Sequence, residues 1–396
     1  MNTISQSNCP VCGSSRWKVF FKIADVPVLC NLLWNERLAA ENCHRGDVNL
    51  AFCSDCGFIS NIAFDSQRLD YTQSYENALD FSPRFQEYLT FLARGLIERY
   101  DLRNKEILEI GSGKGEFLML LSQLGNNTGV GFDPSYIPLE EHQKTEHRVE
   151  FIQDYYDERY AEYQGDFICC RHTLEHLPQP TALLDTIQQT IERKKPNIFF
   201  EVPNALGIFN NLEIWDIIYE HCCYFSPTSF AHAFSSSGFK VESIVEEFGG
   251  QFLGLTAYPG ETVKMLSPEK KEKVQQLAES IIQFSTKFHQ KLDFWKNQLE
   301  SFKKAGKRVV NWGAGSKGVM FLNFLNVQNY IEYIVDINPR KQGMYVPGTG
   351  QKIVSPDFLK QYKPDVVIVM NPIYRDEIQT MLENMGLPNC IIETAV

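Results

Sequence analysis

The chain has 396 residues, 43% of them hydrophobic and 22% charged, with a formal net charge of -11. That length exceeds one typical core, so two or three domains are expected, and the composition is that of a globular protein without large disordered stretches. The acidic balance leaves no basic surplus to neutralise phosphates; this excludes a general nucleic-acid binder but not a small anionic ligand held by a few donors.

The opening MNTISQSNCPVC lacks a basic stretch followed by an apolar one, and no run reaches the ~18 apolar residues of a membrane span. No membrane partner is therefore expected. Without an export signal, the eleven cysteines read as reduced thiols or metal ligands rather than disulfides, which implies a cytoplasmic location. Four regions differ in texture: 1–65, 66–265, 266–306 and 307–396.

The first region is short-stranded and rich in cysteine. CPVC and CSDC place Cys9, Cys12, Cys53 and Cys56 as two C-x-x-C pairs, each followed by a glycine that suits a tight turn. Two thiolates on such a knuckle can face one tetrahedral Zn²⁺, and four protein ligands leave no open position, so a structural zinc is expected. A module this small gains much of its folding energy from the metal. Cys30 and Cys43 lack partner spacing and read as ordinary buried residues.

The second region alternates strand and helix patterns: KEILEIGSG, NTGVGFD, VEFIQ, DFICCRH and PNIFFEVPN, then VESIVEEF and FLGLTAY close together. Strands separated by helical stretches predict a parallel α/β sheet, with the last pair as an antiparallel hairpin at one end. Gly111, Gly113 and Gly115 follow the first strand, where glycines let a ligand approach the backbone and the chain turn into a helix. A glycine loop alone also suits a nicotinamide-type or nucleotide-free Rossmann fold. Here, however, the strand ends in an acid, Glu109, the spacing is G-x-G-x-G, and strand two ends in Asp133.

Together these resemble the S-adenosylmethionine site of class I methyltransferases. The resemblance implies Glu109 near the methionine end, Asp133 on the ribose hydroxyls and Asp154 near the adenine, with His172 and the rest of CCRHTLEHLPQP along the methyl-donor side. HTLEH also matches the H-x-x-E-H pattern of inverted zinc peptidases. That chemistry needs the motif inside a helix, whereas this one starts at the end of a strand and runs into Leu-Pro. His172, Glu175 and His176 are instead expected to line the cofactor cleft and cap the next helix.

Tyr71, Tyr75 and Tyr88 lie on an upstream segment placed to close over the cofactor. Beyond strand five, where ligands sit in open α/β sheets, come Asn204 and the stretch IWDIIYEHCCYF. The third region, up to 306, has helical spacing between Pro268 and Gly306 and reads as a long connecting helix, broken once at most. The fourth is a second, smaller βαβ-type domain: RVVNWGAGSKG, IEYIVDINP and DVVIVMNP. Its Ser316 and Lys317 open a helix, and such a terminus favours anions; a purely structural glycine turn is the alternative.

The zinc pairs, the methyltransferase core, the Glu-His pair after strand five and GAGSKG…DINPRKQGMYVPGTG resemble, over essentially the whole chain, the sugar C-methyltransferases. These methylate nucleotide-linked keto-deoxysugars at a carbon beside the ketone. The resemblance implies His221 as the base that forms an enolate, since an imidazole titrates near neutrality. It also implies Glu220 as its orienting partner or a sugar contact, and Tyr219, Tyr224 or Tyr75 as donor to the enolate oxygen. Lys317, Arg340 and Lys341 would meet the substrate's nucleotide. The family pattern puts a tyrosine two residues before the glutamate; here that place holds Ile218, with Tyr219 adjacent. Neighbours on a regular strand face opposite ways, so a direct Glu220–His221 pair needs an irregular loop. Cys222–Cys223 and Cys169–Cys170 read as core packing. Transfer to oxygen or nitrogen on the same scaffold, and a non-catalytic cofactor binder, are the rival readings.

Overall fold

The computed structural model describes residues 8–69, 75–138, 149–191 and 194–395; Tyr71 lies outside them. Three sheets account for the architecture. The N-terminal strands are β1 (Trp17–Pro27), β2 (Arg45–Cys53) and β3 (Ile59–Asn61). β1 is long but bulged twice against β2. Its inner residues, Phe21 and Val26, join Val48, Leu50 and Phe52 in the main core.

The core sheet follows: β4 (Glu106–Ile110), β5 (Thr128–Phe132), β6 (Val149–Ile152), β7 (Phe167–Arg171) and β8 (Asn197–Pro203). After a two-residue strand β9 (Cys223–Tyr224) come β10 (Phe239–Glu247) and β11 (Phe252–Pro259). The seven-stranded order is β10-β11-β8-β7-β4-β5-β6, parallel among β4 to β8 and closed by the antiparallel pair. This is the parallel α/β sheet, with an antiparallel pair at one end, that the strand spacing predicts. The continuous apolar runs in β7 and β8 are explained by helices on both faces, which bury such strands on both sides.

β9 joins neither its neighbours in sequence nor the core sheet. It pairs antiparallel with β3, Ile59 opposite Tyr224 and Ser60 opposite Cys223. The stretch after strand five is thus the fourth strand of the N-terminal sheet, and the cysteine module holds it in place. Asn61 N–H and the Ser60 hydroxyl both donate to the Cys222 carbonyl, at 3.0 and 2.8 Å.

The connector is two helices, Pro268–Ile282 and Phe284–Lys304, broken at Gln283. Phe284 and Phe288 pack edge-on to Phe21, tying the connector to β1. The last sheet is five-stranded and parallel, built from β12 (Val309–Trp312), β13 (Ile331–Val335), β14 (Lys352–Val354), β15 (Val366–Val369) and β16 (Ile391–Thr394), in the order β14-β13-β12-β15-β16. Its two edge strands carried no clear sequence signal. Among the described residues no helix is long and apolar enough to cross a membrane.

Candidate functional site

The glycine loop leaves β4 with Gly111, Gly113 and Gly115 at φ +73, +58 and +95°, values an L side chain resists. Two of them differ in reason. A Cβ on Gly111 would fall 1.8 Å from Thr173 Oγ1, whereas one on Gly113 would meet nothing within 4 Å among the described residues. The second is open room beside a backbone turned outward, which suits a bound ligand.

Asp133 ends β5 against that room. One carboxylate oxygen accepts from Gly113 N–H (2.9 Å) and the other from Ser135 N–H (2.7 Å). The Ser135 hydroxyl donates to that same second oxygen (2.6 Å), so of about four acceptor positions one remains, on the oxygen that Gly113 N–H meets, for a ribose hydroxyl. Asp154 accepts from the Tyr160 hydroxyl at 2.6 Å, which, ahead of the Tyr155 N–H, holds its pKa below the usual range. Glu109 points under the loop: it is buried and accepts from Leu118 N–H (3.1 Å) in the first turn of the helix Glu116–Gly125. Burial pushes its pKa up to about 8.

Beyond β7, His172 sits at φ +48°. Its Nε2 lies 2.9 Å from Glu201 Oε1, out of line for a hydrogen bond. Glu201 also takes an ion pair from Arg171 (2.7 Å) and the hydroxyl of Tyr88. Burial alone would raise the Glu201 pKa; Arg171, then His172 and Tyr88, hold it at about 2. Tyr88 is therefore fastened inside the core rather than free to cover a ligand.

A cleft of about 290 Å³ opens between the carboxyl ends of β7 and β8, the segment 75–82 and the glycine loop after β12. Its chemistry comes from Tyr75, His172, Glu175, His176, His221 and Lys317. The loop 111–115 does not line it; Gly111 touches Thr173, whose neighbour His172 does.

Glu220 is fully buried, and instead of pairing with His221 it accepts from Tyr75 hydroxyl (2.6 Å) and Cys30 N–H (2.9 Å). Burial raises its pKa, against His176 and Tyr75. The orienting partnership expected of Glu220 thus belongs to Tyr75. His221 stands edge-on to His176, ring centroids 4.9 Å apart, and burial, then the charges of His176, His172 and Lys317, push its pKa well below the ordinary histidine value. It is neutral at neutral pH.

Tyr219 and Tyr224 point elsewhere. The Tyr219 hydroxyl accepts from Asp65 N–H (2.9 Å), with its ring against Phe64 and the backbone of Gly46. The Tyr224 hydroxyl donates to Ile218 carbonyl (3.2 Å) inside the core. Tyr219 anchors the stretch to the N-terminal module, and Tyr224 closes the stretch on itself. Glu175 and His176 form a short 3₁₀ turn and do not cap the following helix, whose first residues lack a side-chain cap.

Asn204 lines the cleft but spends its side chain capping the helix Ala205–Asn211 and donating to Gly250 carbonyl. Lys317 lies 2.6 Å from Asp216 and 3.7 Å from Glu213. Lys341 donates to Ala314 carbonyl (3.1 Å). Arg340 turns to Glu76 (3.4 Å), which also accepts from Asn338 Nδ2 (3.0 Å), and does not line the cleft. Sequence reasoning missed Cys30, Glu76, Asp216 and Asn338, because each acts on a partner more than a hundred residues away in the chain.

Outside the cleft, Cys9–Cys56 and Cys12–Cys53 sulfurs are each 3.6 Å apart, with all four donors within 4.8 Å of one another. A tetrahedral zinc with bonds of ~2.3 Å needs sulfurs about 3.8 Å apart, so the four residues fit that ion.

Residues 82–244 match the family described as methyltransferase domain, and residues 256–387 match the C-methyltransferase C-terminal domain. The chain is 24% identical over 416 aligned positions to C-methyltransferase NovU of Streptomyces niveus, covering 96% of this chain and 93% of that protein. It is 28% identical over 113 residues to a ubiquinone biosynthesis O-methyltransferase of Escherichia coli, covering 27% of this chain and 46% of that one. Among solved structures, the 1,6-didemethyltoxoflavin-N1-methyltransferase of Burkholderia thailandensis overlaps 45% of this chain and 80% of its own, at 15% identity and a TM-score of 0.35.

Proposed function

We propose that this chain, an S-adenosylmethionine-dependent methyltransferase carrying a C-methyltransferase C-terminal domain, methylates a carbon beside a ketone of a nucleotide-linked deoxysugar. The observation that carries the reading is His221: a neutral imidazole on the cleft wall, held by the N-terminal sheet, beside a Tyr75–Glu220 pair.

The glycine loop, Asp133, Asp154 and His172 would hold the methyl donor, which supplies an electrophilic methyl group when bound. Everything else is work for the chain's own residues. A C–H beside a carbonyl gives up its proton to a positioned base once the enolate oxygen is stabilised. His221 takes that proton, and its depressed pKa leaves the lone pair free to do so. Tyr75 faces the cleft with its hydroxyl directed at Glu220; on substrate binding that one proton turns to the enolate oxygen, and Glu220, whose pKa burial raises, holds the phenol oxygen through a proton of its own. Glu220 holds Tyr75 and, through Cys30 N–H, the N-terminal module. Lys317 and the loop after β12 would meet the diphosphate, and a structural zinc on the four cysteines would keep β3, and so β9, in register.

The test is solvent exchange. Incubated in D₂O with a 4-keto sugar nucleotide and no donor, the enzyme should exchange the ring proton. His221→Asn should lose at least ~100-fold of that rate while binding S-adenosylmethionine normally. Undiminished exchange in the variant would remove His221 as base. A second reading, transfer to oxygen, rests on the partial likeness to the ubiquinone O-methyltransferases; turnover of a hydroxyl acceptor with no proton exchange would favour it.

A further inference from the structure

Glu175 is 1% exposed, lines the cleft, and neither carboxylate oxygen accepts a hydrogen bond from the described residues. His172 Nδ1, 3.8 Å away, is beyond hydrogen-bonding reach. A buried carboxylate without a donor is expensive, because nothing replaces the water it gave up. Around it, one oxygen of Glu175 and one nitrogen each of His176 and His221 lie within 4.8 Å of one another. We infer that Glu175, His176 and His221 form a second metal site, open to the cleft, for a divalent late first-row transition ion such as Zn²⁺ or Co²⁺.

Three features support it. Two imidazoles and a carboxylate are the donor set such ions prefer to Mg²⁺ or Ca²⁺, which favour oxygen cages. Ligands about 2.1 Å from a tetrahedral ion are about 3.4 Å apart, so donors that lie within 4.8 Å of one another need close by at most about 1.4 Å. And His176 Nδ1 sits 3.0 Å from the Glu220 carbonyl. Donating a proton there fixes the tautomer and leaves Nε2 as the ligating atom, the outer support that metal-bound histidines usually have. Three protein ligands leave a further position facing the cleft, unlike the closed four-cysteine set.

The consequence rests on the reading of His221 given above. Its lone pair cannot serve an ion and a substrate proton together, so occupancy withdraws the base. The ion is an inhibitor that competes with enolate formation, and Glu175 is the residue that makes it bind.

The binding test needs no substrate and so stands apart from the methyl-transfer reading. Full-length protein with its cysteine-bound zinc in place is titrated with Co²⁺. One added equivalent should appear, with the weak visible bands of nitrogen- and oxygen-bound cobalt and no thiolate charge-transfer band. It should also shift the imidazole proton signals of two histidines. Glu175→Gln and His176→Gln should each weaken this equivalent at least ~10-fold, with cysteine-bound zinc, melting temperature and donor binding retained. Should Glu175→Gln fail to fold, His176→Gln and the wild-type imidazole shifts decide. No added equivalent in the wild type, or one unchanged in the folded variants, overturns the site. In the exchange assay, added Zn²⁺ should slow wild-type exchange in step with occupancy and leave Glu175→Gln about 10-fold less sensitive; exchange indifferent to an occupied site would overturn the competition.

Discussion

The chain contains the same loop twice. β4 and β12 each occupy an inner place in a parallel sheet, each runs into glycines and a helix, and each next strand ends in an aspartate. Gly113 N–H donates to Asp133 and Ala314 N–H to Asp336, at 2.9 and 2.7 Å, and each aspartate takes a second N–H two residues on. The difference lies above the loop. Over the first is open room at Gly113. The second has open room too, at Gly315, but there the loop lines the cleft, with Lys341 on the Ala314 carbonyl and Lys317 beside Asp216 as its cations. The backbone device is common to Rossmann-like turns; what fills the space beside it decides the ligand.

The sharpest break of this comparison is to remove each aspartate. Asp133→Ala should weaken S-adenosylmethionine binding roughly 10- to 100-fold, the loss of one charge-assisted hydrogen bond at ~1.5–3 kcal/mol. Asp336→Ala should leave donor affinity within about two-fold. Calorimetry on both variants reads this directly. Equal losses would mean that the second loop also holds the donor.

The glycines divide the same way. A Cβ on Gly318 would lie 1.9 Å from the Gly313 carbonyl, so Gly318→Ala should cost about 1–3 kcal/mol of stability by overpacking. At ~2–4 °C per kcal/mol, thermal unfolding resolves it. Gly113→Ala meets no atom, and its φ costs only about 1–2 kcal/mol; its main effect should be on donor affinity. The Lys317–Asp216 pair is a milder probe. Lys317→Met should raise KM for a nucleotide sugar about ten-fold and spare donor binding, as one cation lost from a largely buried phosphate contact would do. An unchanged KM would leave the lysine to the structural pair alone.

How legible this was depends on the range of the interaction. The core sheet, the glycine loop and the cysteine pairs are written in local pattern, and the structure assembles each of them. The Tyr75–Glu220 contact spans 145 residues and β3–β9 spans a comparable stretch of chain, and pattern is silent at that distance. Tyr219 shows the cost. Its position beside Glu220 suggested chemistry, but an irregular bend ahead of β9 turns it toward Asp65 in the N-terminal module. Glu220 shows the reverse: its partner is not the adjacent histidine but a tyrosine from the upstream segment. The edge strands β14 and β16, three and four residues long, were too short to stand out from loops.

The smallest effect compares the two positions just inside the loops. Glu109 and Asn311 each sit two residues before the first glycine of their loop, both fully enclosed, and both Asn311 amide atoms lack a partner among the described residues. Burial raises the Glu109 pKa from 4.5 to about 8. Across that window the folded chain keeps a proton that the unfolded chain has released. The stabilising contribution is therefore complete below pH 4.5 and drains as pH rises toward 8, by at most about 1.4 kcal/mol per pH unit. Glu109→Gln keeps an oxygen for Leu118 N–H but cannot titrate, so its melting temperature should fall less steeply from pH 5 to 8 than that of the wild type. Asn311→Asp should do the opposite, acquiring in the second sheet the slope that the first has lost. Parallel curves for all three proteins would mean that Glu109 is ionised throughout and that burial is not what separates the two strands.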